Sequence, residues 1–308
     1  MNILSTNNLV KQYTNHLALN NVSIEVPEGV IFGLLGPNGA GKTSLIRIIN
    51  QITAPDSGSV LLFGKPISRA DISNIGYLPE ERGLYKKMKV GEHILYLAQL
   101  KGVKKHDAIK KIQYWFKRLE IEAWQNRTID ELSKGMQQKV QFIATIIHNP
   151  KLLILDEPFS GFDPINALLL KEEILTLKKN GTSIVLSTHN MASVEEICDE
   201  IALINQGVVL LTGSVKAVRE SNKQNSLKVE ITSENRLAEP LAKLFNGESI
   251  MEINGHHYRI TLPLQENDSI NTIITKLLPL GQIISVNEQL PTMNDIFISS
   301  VNKHNQNK

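Results

Sequence analysis

One glycine-rich segment constrains the fold of this chain more than any other feature of the sequence. The segment reads Gly36, Pro37, Asn38, Gly39, Ala40, Gly41, Lys42, Thr43. It fits the pattern G-x-x-x-x-G-K-[ST] at every position. The apolar residues 30–35 before it predict a buried strand, and residues 44–49 after it predict a helix. A strand, a glycine loop and a helix in this order predict an α/β fold whose loop binds a nucleoside triphosphate.

The residue types of this loop suit a polyphosphate. Glycines let backbone N–H groups turn inward, and the start of the following helix adds a partial positive charge. Lys42 can reach the β- and γ-phosphates, and the Thr43 hydroxyl can ligate Mg²⁺. The predicted nucleotide-binding residues of the loop are therefore Gly36, Pro37, Asn38, Gly39, Ala40, Gly41, Lys42, Thr43 and Ser44.

Length and composition limit the class of protein. A chain of 308 residues accommodates one large domain and one small one. The formal net charge of +2 lacks the basic excess of a strongly basic nucleic-acid binder, so we expect no nucleic-acid partner. The single cysteine, Cys198, excludes an internal disulfide and favours a reducing compartment. The sequence has no signal-peptide pattern and no apolar run of about 18 residues, which predicts a soluble cytoplasmic protein.

Short apolar runs alternate with helical patterns over most of the chain, which is typical of an α/β layer fold. Besides the strand before the glycine loop, strands are predicted at residues 3–10, 22–26, 152–155, 183–186 and 201–204. Residues 82–134 are mainly helical, since 90–101 and 107–120 carry apolar residues at i, i+3, i+4 spacing. This pattern predicts a helical subdomain inserted into an α/β domain of residues 1–220.

Beyond a polar stretch at residues 220–225, residues 221–302 predict a small α+β domain. Its predicted elements are a strand (227–231), a helix (236–245), a strand ending at 253, a strand (258–262), a helix (269–277), a strand (282–286) and a final helix (293–301). The first six of these elements have the order β-α-β-β-α-β, which predicts a ferredoxin-like domain. Residues 303–308 are predicted to be a frayed polar tail.

Four further segments carry side chains that suit phosphoryl transfer. The predicted strand 152–155 ends in Asp156, which can hold Mg²⁺ through its water shell, and Glu157, which can polarise an attacking water. Residues 132–138 predict the start of a helix, and residues 160–164 close the loop after the two carboxylates. His189 ends a predicted strand and turn.

In this order and spacing, the motifs of residues 1–220 resemble those of the nucleotide-binding subunit of an ABC transporter. The resemblance implies that two such domains pair head to tail and trap ATP between them. The segment read as the family's signature is Ser133, Lys134, Gly135 and Met136. By this resemblance, Ser133 and Gly135 contact the γ-phosphate held by the partner chain, because a helix N-terminus offers free N–H groups to an anion.

The same resemblance assigns roles to three further residues. Asp163 would lie across the dimer seam, and Tyr13 would stack on the adenine ring. His189 would hold the γ-phosphate and position the water, so that Glu157 and His189 are the predicted catalytic pair. Electrostatic preorganisation around the γ-phosphate would supply most of the catalysis.

The sequence departs from the family pattern at two places. Glu80 stands where the family usually has glutamine. Because a carboxylate is still a good ligand for a hard cation, we predict that Glu80 is the Mg²⁺-sensing residue of this loop. The alternative for Glu80 is a solvated acid at the mouth of the loop. The signature reads S-K-G-M where S-G-G-Q is usual. Lys134 adds a positive charge near the phosphate and Met136 loses a polar contact, while the Ser133–Gly135 anion site remains.

The loop of residues 79–85 and the appended C-terminal domain resemble an export-type branch of the family, which includes sodium- and drug-efflux systems. This resemblance implies a Mg²⁺-dependent ATPase that drives export through separate polytopic membrane subunits, contacted by residues 79–89. It places the chain on the inner face of the cell membrane. The motifs of both ATP half-sites are intact, which favours a homodimer and leaves a heterodimer open.

Other classes of ABC ATPase remain as alternatives. A soluble ABC ATPase acting in cofactor assembly, or in another non-transport process, is the second hypothesis. The single ATPase domain argues against a translation-type member, and the absence of a long heptad coiled coil argues against a DNA-repair type. The third hypothesis, a nucleotide-binding regulator that does not hydrolyse ATP, is disfavoured by the presence of both Glu157 and His189.

Overall fold

A computed structural model describes residues 1–81, 83–223, 226–244, 250–264, 269–288 and 290–306. Arg82 of the predicted partner loop, residues 224–225 of the predicted boundary and the last two residues of the predicted tail lie outside the described residues. The chain forms two compact units. The first comprises Met1–Val215 together with the chain from Phe297 onward, and the second comprises Lys216–Ile296. The domain boundaries assigned above stay predictions.

The first unit is built from strands and helices in alternation, as an α/β fold requires. Its strands are β1 (Asn2–Tyr13), β2 (His16–Pro27), β3 (Ile31–Leu35), β4 (Ser57–Leu62), β5 (Lys65–Pro66), β6 (Ile75–Leu78), β7 (Leu152–Asp156), β8 (Ser183–Thr188), β9 (Glu200–Asn205) and β10 (Val208–Ser214). Its helices are α1 (Lys42–Ile49), α2 (Val90–Leu100), α3 (Lys105–Arg118), α4 (Lys134–Ile146), α5 (Pro164–Lys179) and α6 (Met191–Ile197), with 3₁₀ turns at Arg69–Asn74, Glu122–Trp124 and Ile129–Glu131.

The central sheet has the strand order β10-β9-β3-β8-β7-β6. β3 pairs in parallel with β8 and β9, and β7 pairs in parallel with β8 and β6. Every residue of β3, β7 and β8 is buried, which explains why these strands are continuous apolar runs in the sequence. Because the carboxyl ends of parallel strands meet at one edge, the loops after β3, β7 and β8 come together there.

A second, antiparallel sheet of the same unit has the order β2-β1-β4-β5. Its inward residues, such as Leu4 and Val22, join one hydrophobic core with Phe32 of β3, Ile46 of α1 and Leu152 of β7. This core fixes the phosphate loop from two sides, because the elements before and after the loop are both anchored in it.

The predicted helical subdomain is present and has its own core. Val90 and Ile94 of α2, Phe116 of α3 and Val140 and Ile143 of α4 pack together, away from the core of the two sheets. The cluster therefore extends past residue 134, since α4, whose start carries the signature residues, packs into it.

Four strands, β4, β5, β6 and β10, are not predicted from the sequence, and β1 and β2 are longer than predicted. β5 pairs with β4, and β6 pairs with β7. β4 begins with polar residues and glycine, and it becomes a strand by pairing with β1 from Val10↔Ser57 to Leu4↔Leu62. β10 pairs antiparallel with β9. In each case the strand partner, rather than the local pattern, determines the conformation.

The second unit contains an antiparallel sheet covered by helices. Its strands are β11 (Ser226–Thr232), β12 (Ile250–Asn254), β13 (His257–Pro263) and β14 (Gln282–Glu288). The helices from here to the end of the chain are α7 (Val215–Ser221), α8 (Ala238–Leu244), α9 (Ile270–Leu277) and α10 (Met293–Gln306). The strand order is β12-β13-β11-β14, with antiparallel pairing throughout. Leu227, Tyr258 and Ile273 lie in its core.

The final helix is longer than predicted. α10 continues to Gln306, whereas the sequence predicted that it ends at residue 301 and that the following residues are frayed. The side chain of Asn305 accepts hydrogen bonds from Asn205 and Gln206. This tertiary contact, which local polarity cannot reveal, keeps residues 303–306 helical.

Candidate functional site

The glycine-rich loop connects β3 to α1 at the carboxyl edge of the central sheet. Gly36 and Gly41 have φ angles of 154° and 111°. A Cβ atom on Gly36 would meet the carbonyl oxygen of Ile204, and one on Gly41 would meet that of Ala18. These two positions therefore require glycine, both for the left-handed backbone and for the close approach of neighbouring chain.

Lys42 begins α1 and folds back over the loop. Its Nζ donates hydrogen bonds to the carbonyl oxygens of Gly36 (2.6 Å) and Pro37 (3.0 Å). Burial lowers the pKa of Lys42, and the nearby carboxylates of Glu157 and Asp156 oppose this shift. The ammonium group is thus held in a partly desolvated position, where an anionic ligand would interact with it strongly.

A cavity of about 330 Å³ opens in front of the loop. It is lined by Tyr13, His16, Ala18, Asn38, Gly39, Ala40, Gly41, Lys42, Thr43, Ser44, Glu80, Asp156 and Glu157. The structure therefore brings the phosphate loop together with the predicted Tyr13, Glu80, Asp156 and Glu157. Gly36, Pro37 and His189 do not line this cavity, although Gly36 and Pro37 hold Lys42 through their carbonyl oxygens.

The sequence analysis missed His16 and Ala18 as cavity residues. They enter the site because β1 and β2 form a hairpin that places Tyr13 opposite His16. The signal that could have found them is the short polar turn between the two strands, which positions residues on either side of it next to each other.

Asp156 ends β7 and is almost completely buried, with 3% of its surface exposed. Burial raises the pKa of Asp156, and the negative charges of Glu80 and Glu157 raise it further, while Lys42 opposes them. A divalent cation at this point would offset the repulsion among the carboxylates. Asp156, Thr43 and Glu80 line the cavity and all carry side-chain oxygen atoms, the ligand type that Mg²⁺ prefers.

No set of three or more histidine, cysteine, aspartate or glutamate side chains in the described ranges is grouped closely enough to hold a metal alone.

Glu157 is held in a fixed orientation by the end of β8. Its backbone has a φ of 48°, in the left-handed region, and its N–H donates to the carbonyl oxygen of Ser187 at 2.9 Å. The carboxylate accepts hydrogen bonds from Thr188 Oγ1 (3.2 Å) and the His189 N–H (3.0 Å). His189 Nδ1 lies 2.6 Å from Glu157 Oε1. The predicted pair Glu157 and His189 is therefore in direct contact.

The two members of this pair differ in exposure. The Glu157 side chain is 11% exposed and that of His189 is 61% exposed. The carboxylate is therefore sheltered in the cavity lining, while the imidazole beside it lies outside that lining and is open to solvent.

The signature residues lie outside the cavity of their own chain. Ser133 is the N-cap of α4, and its Oγ accepts a hydrogen bond from the N–H of Met136 at 3.3 Å. A Cβ atom on Gly135 would meet nothing within 4 Å, so the backbone there is open. Lys134, Gly135 and Met136 form the first turn of α4. Their contact with a nucleotide in a partner chain stays a prediction.

Asp163 is the N-cap of α5. Its carboxylate accepts hydrogen bonds from the N–H groups of Ile165 (3.1 Å) and Asn166 (3.0 Å). The hydrogen bonds from Asn166 lower the pKa of Asp163. The residue is exposed and does not line the cavity, so its place at a dimer seam stays a prediction.

A separate groove of about 570 Å³ with a mainly apolar lining lies beside β6, α2 and α4. Leu84, from the predicted partner loop, lines it together with Ile52 and Leu100. Ile52 is 59% exposed and Leu100 is 65% exposed. Exposed apolar side chains that are grouped in one groove are typical of a surface that binds another protein.

Two known protein families match this chain, one in its N-terminal part and one in its C-terminal part. Residues 19–160 match the family described as ABC transporter. Residues 213–301 match the family described as ATP-binding protein DrrA1-3-like, C-terminal domain.

Three curated proteins illustrate the similarity. The chain is 38% identical to the uncharacterized ABC transporter ATP-binding protein YhaQ of Bacillus subtilis, over 97% of this chain and 98% of YhaQ. It is 34% identical to the lantibiotic transport ATP-binding protein SrtF of Streptococcus pyogenes, over 68% of this chain and 90% of SrtF. It is 33% identical to the ABC transporter ATP-binding protein NatA of Bacillus subtilis, over 68% of this chain and 87% of NatA.

A solved structure shares the fold. The chain is 28% identical to cbiO1 of Clostridium perfringens, described as part of the ABC transporter complex cbiONQ, with a TM-score of 0.63. The alignment covers 72% of this chain and 92% of cbiO1. The α/β fold predicted from the sequence is confirmed by this similarity. In the described ranges, none of the helices has the length and apolar character needed to cross a membrane.

Proposed function

This chain belongs to the family of ABC transporter ATP-binding proteins, and on that premise we propose that it is the ATP-hydrolysing subunit of an exporter. It would dimerise head to tail on ATP and act through separate membrane subunits. The observation that carries the proposal is one cavity that joins the Lys42 ammonium, the Asp156 carboxylate and the Glu157 carboxylate. Phosphate binding, cation binding and water activation thus meet at a single site.

Hydrolysis needs a water to attack the γ-phosphorus while the bond to the β-phosphate oxygen breaks, giving ADP and phosphate. Lys42 would exchange its hydrogen bonds with the loop carbonyls for the phosphate oxygens. The Glu157 carboxylate, fixed by Thr188 and His189, would accept a hydrogen bond from the water and orient it. Mg²⁺, when bound, would neutralise phosphate charge. Thr43 and Asp156 are the residues that would hold it, with Glu80 as the sensing residue.

The exposed signature supports pairing of two copies. Ser133 to Met136 lie outside the cavity of their own chain, while the first turn of α4 presents backbone N–H groups. An N-terminal helix end binds anions. A second copy in head-to-tail orientation would place these groups, and the cap residue Asp163, against the first copy's nucleotide. A heterodimer with a related ATPase chain would use the same contacts.

The groove beside α2 and α4 supports a membrane partner. Its apolar lining includes Leu84 of the partner loop, and its rim exposes Ile52 and Leu100. The similarity to SrtF, a lantibiotic transport protein, and to NatA supports the export-type branch. The similarity to cbiO1 favours work within a transporter complex. The chain would then lie on the inner face of the cell membrane.

The second unit fits a ferredoxin-like domain. The order β12-β13-β11-β14 and the antiparallel pairing support this topology, as does the placement of α8 after β11 and α9 after β13. This proposal concerns fold alone, since the topology serves many functions.

Substitutions at Glu157 and Lys42 test the proposed function by separating hydrolysis from binding. Glu157→Gln keeps the shape of the site but removes the charge that orients water. We expect unchanged ATP affinity and phosphate release lowered about 100-fold or more. Lys42→Ala removes the buried ammonium and should weaken ATP binding itself. Affinity is measured by calorimetric titration with ATP and turnover by phosphate release.

The matched control is Glu122→Gln, an exposed acid of the helical subdomain that lies outside the cavity. This variant should bind and hydrolyse ATP like the wild type. Normal turnover in Glu157→Gln would remove that residue from the catalytic role, and normal ATP affinity in Lys42→Ala would contradict the phosphate-binding role of the loop.

A further inference from the structure

The turn between β9 and β10, residues 205–207, packs directly against the phosphate loop. The backbone N–H of Gly207 donates to the carbonyl oxygen of Ala40 at 2.9 Å. The Gly207 carbonyl oxygen accepts from the N–H of Asn20 in β2 at 2.8 Å. A Cβ atom on Gly207 would lie 2.8 Å from the carbonyl oxygen of Ala18. The turn is therefore held between the phosphate loop and β2, and it contacts Ala40 of the loop directly.

The C-terminal end of helix α10 contacts the β9–β10 turn, residues 205–207, through the side chain of Asn305. Asn305 Oδ1 accepts hydrogen bonds from Asn205 Nδ2 (3.4 Å) and Gln206 Nε2 (3.3 Å). Asn205 is buried, with 3% of its surface exposed. Gln206 has a φ of 49°, in the left-handed region that disfavours residues other than glycine. A backbone in this conformation persists where its surroundings hold it.

We propose that Asn305 is a positioning residue for nucleotide binding. By accepting hydrogen bonds from both amides, Asn305 fixes the turn of residues 205–207. Through the hydrogen bond from Gly207 to Ala40, the fixed turn keeps the phosphate loop in its binding-competent conformation. This role rests on the proposed function, since it concerns the same nucleotide loop.

The expected effect is moderate. The net contribution of a single hydrogen bond corresponds to a change of about three- to tenfold in an equilibrium constant. If the phosphate loop can bind ATP for only a fraction of the time, its apparent ATP affinity falls to that fraction of the full value. Both hydrogen bonds use the side-chain oxygen of Asn305, so the oxygen, rather than the amide nitrogen, is the group to remove.

Three full-length variants test the role of Asn305. Asn305→Ala removes the acceptor oxygen, and Asn305→Asp retains an acceptor at the same position. Asn302→Ala is the matched control, because Asn302 is an exposed residue of the same type on the same helix. For each variant and the wild type, ATP affinity is measured by calorimetric titration, KM and kcat by phosphate release, and Tm by calorimetry.

We expect Asn305→Ala to bind ATP about three- to tenfold more weakly and to raise KM by the same factor, with kcat unchanged and Tm lowered by at most a few degrees. Asn305→Asp and Asn302→Ala should bind ATP like the wild type. Wild-type affinity in Asn305→Ala would overturn the proposal while leaving the proposed function intact. An equal loss in Asn305→Asp, or a fall in Tm and kcat with the affinity, would also overturn it. A wild type that binds no ATP would refute both.

Discussion

At the scale of single residues, the nucleotide cavity concentrates charge that the protein alone does not neutralise. Asp156 is buried beside Glu80 and Glu157, and Lys42 is the cation of the cavity lining. The pKa of Asp156 is raised, first by burial and then by the neighbouring carboxylates. A raised carboxyl pKa means that the folded chain disfavours the ionised form, so ionised Asp156 destabilises the fold at neutral pH.

We therefore expect Asp156→Asn to raise the Tm of the nucleotide-free protein by a few degrees at neutral pH. The same variant should lose ATP hydrolysis, because it lacks the carboxylate proposed to hold Mg²⁺. Scanning calorimetry and phosphate release measure the two effects. Asp107→Asn, at an exposed acid on α3, is the control and should leave both unchanged. A Tm below that of the wild type would contradict this account of Asp156.

At the scale of elements, helix N-termini carry the residues proposed to meet across a dimer. Ser133 caps α4 with one hydrogen bond, and Asp163 caps α5 with two backbone hydrogen bonds. The same side chains thus cap helices in their own chain and are candidates for contact with a second copy. Stability measurements on the single chain report the capping alone, because no second copy is bound.

Asp163→Ala should lower Tm by a few degrees at neutral pH, because it removes the cap of α5. The pKa of Asp163 is lowered by its hydrogen bonds from Asn166, so the ionised form stabilises the folded state. This contribution is present above the unfolded pKa of about 4 and is lost as the pH falls through the folded pKa. The Tm difference from the wild type should therefore shrink in acid.

Calorimetric scans from neutral pH to about pH 3 measure this dependence. Asp107→Ala serves as control, since Asp107 lies in the first turn of α3 without capping it. A Tm difference that stays constant with pH would show that the charge of Asp163 does not contribute to the cap.

The elements that sequence predicts well are those whose pattern is local. β3, β7 and β8 are buried along their whole length and stand out as apolar runs. β4 does not, because Ser57, Gly58 and Ser59 carry no strand pattern and pair only in the context of β1. The final turn of α10 was missed for the same reason, since its contact is with a turn about a hundred residues away in the chain.

The site follows the same rule. The phosphate loop, Asp156 and Glu157 are predictable because each lies in a short motif that follows an apolar strand. The structure brings them together because those strands are parallel and their carboxyl ends meet. His16 and Ala18 enter the cavity through a hairpin, and the only local sign of that hairpin is the short polar turn between its strands. The turn that contacts Ala40 gave no signal either, because its contacts are made by backbone atoms of Gly207.

At the scale of the whole molecule, the proposed function requires a second copy and a membrane partner. Glu157→Gln should accumulate as a dimer with ATP and Mg²⁺, because in the proposed mechanism bound ATP would bridge the two copies until it is hydrolysed. Light scattering coupled to size exclusion measures this state. Lys42→Ala is the comparison variant and should stay monomeric under the same conditions.

The same Glu157→Gln dimer, tagged and mixed with detergent-solubilised membranes, should retain a polytopic membrane protein that mass spectrometry identifies. Substituting Leu100→Asp in the apolar groove should reduce this capture while leaving ATP-dependent dimerisation intact. Capture of a complex without a membrane protein would favour the non-transport alternative, such as cofactor assembly. A Glu157→Gln chain that stays monomeric with ATP would contradict head-to-tail pairing.

The left-handed backbone of Glu157 has a consequence for how such proteins change over generations. Its φ of 48° is one that glycine and asparagine adopt more readily than glutamate does. By the role proposed for Glu157, a substitution to either residue would relax the backbone and end ATP turnover. We therefore expect selection for turnover, rather than for backbone stability, to retain a glutamate here. A duplicated gene freed from that selection should lose this carboxylate before it loses its fold.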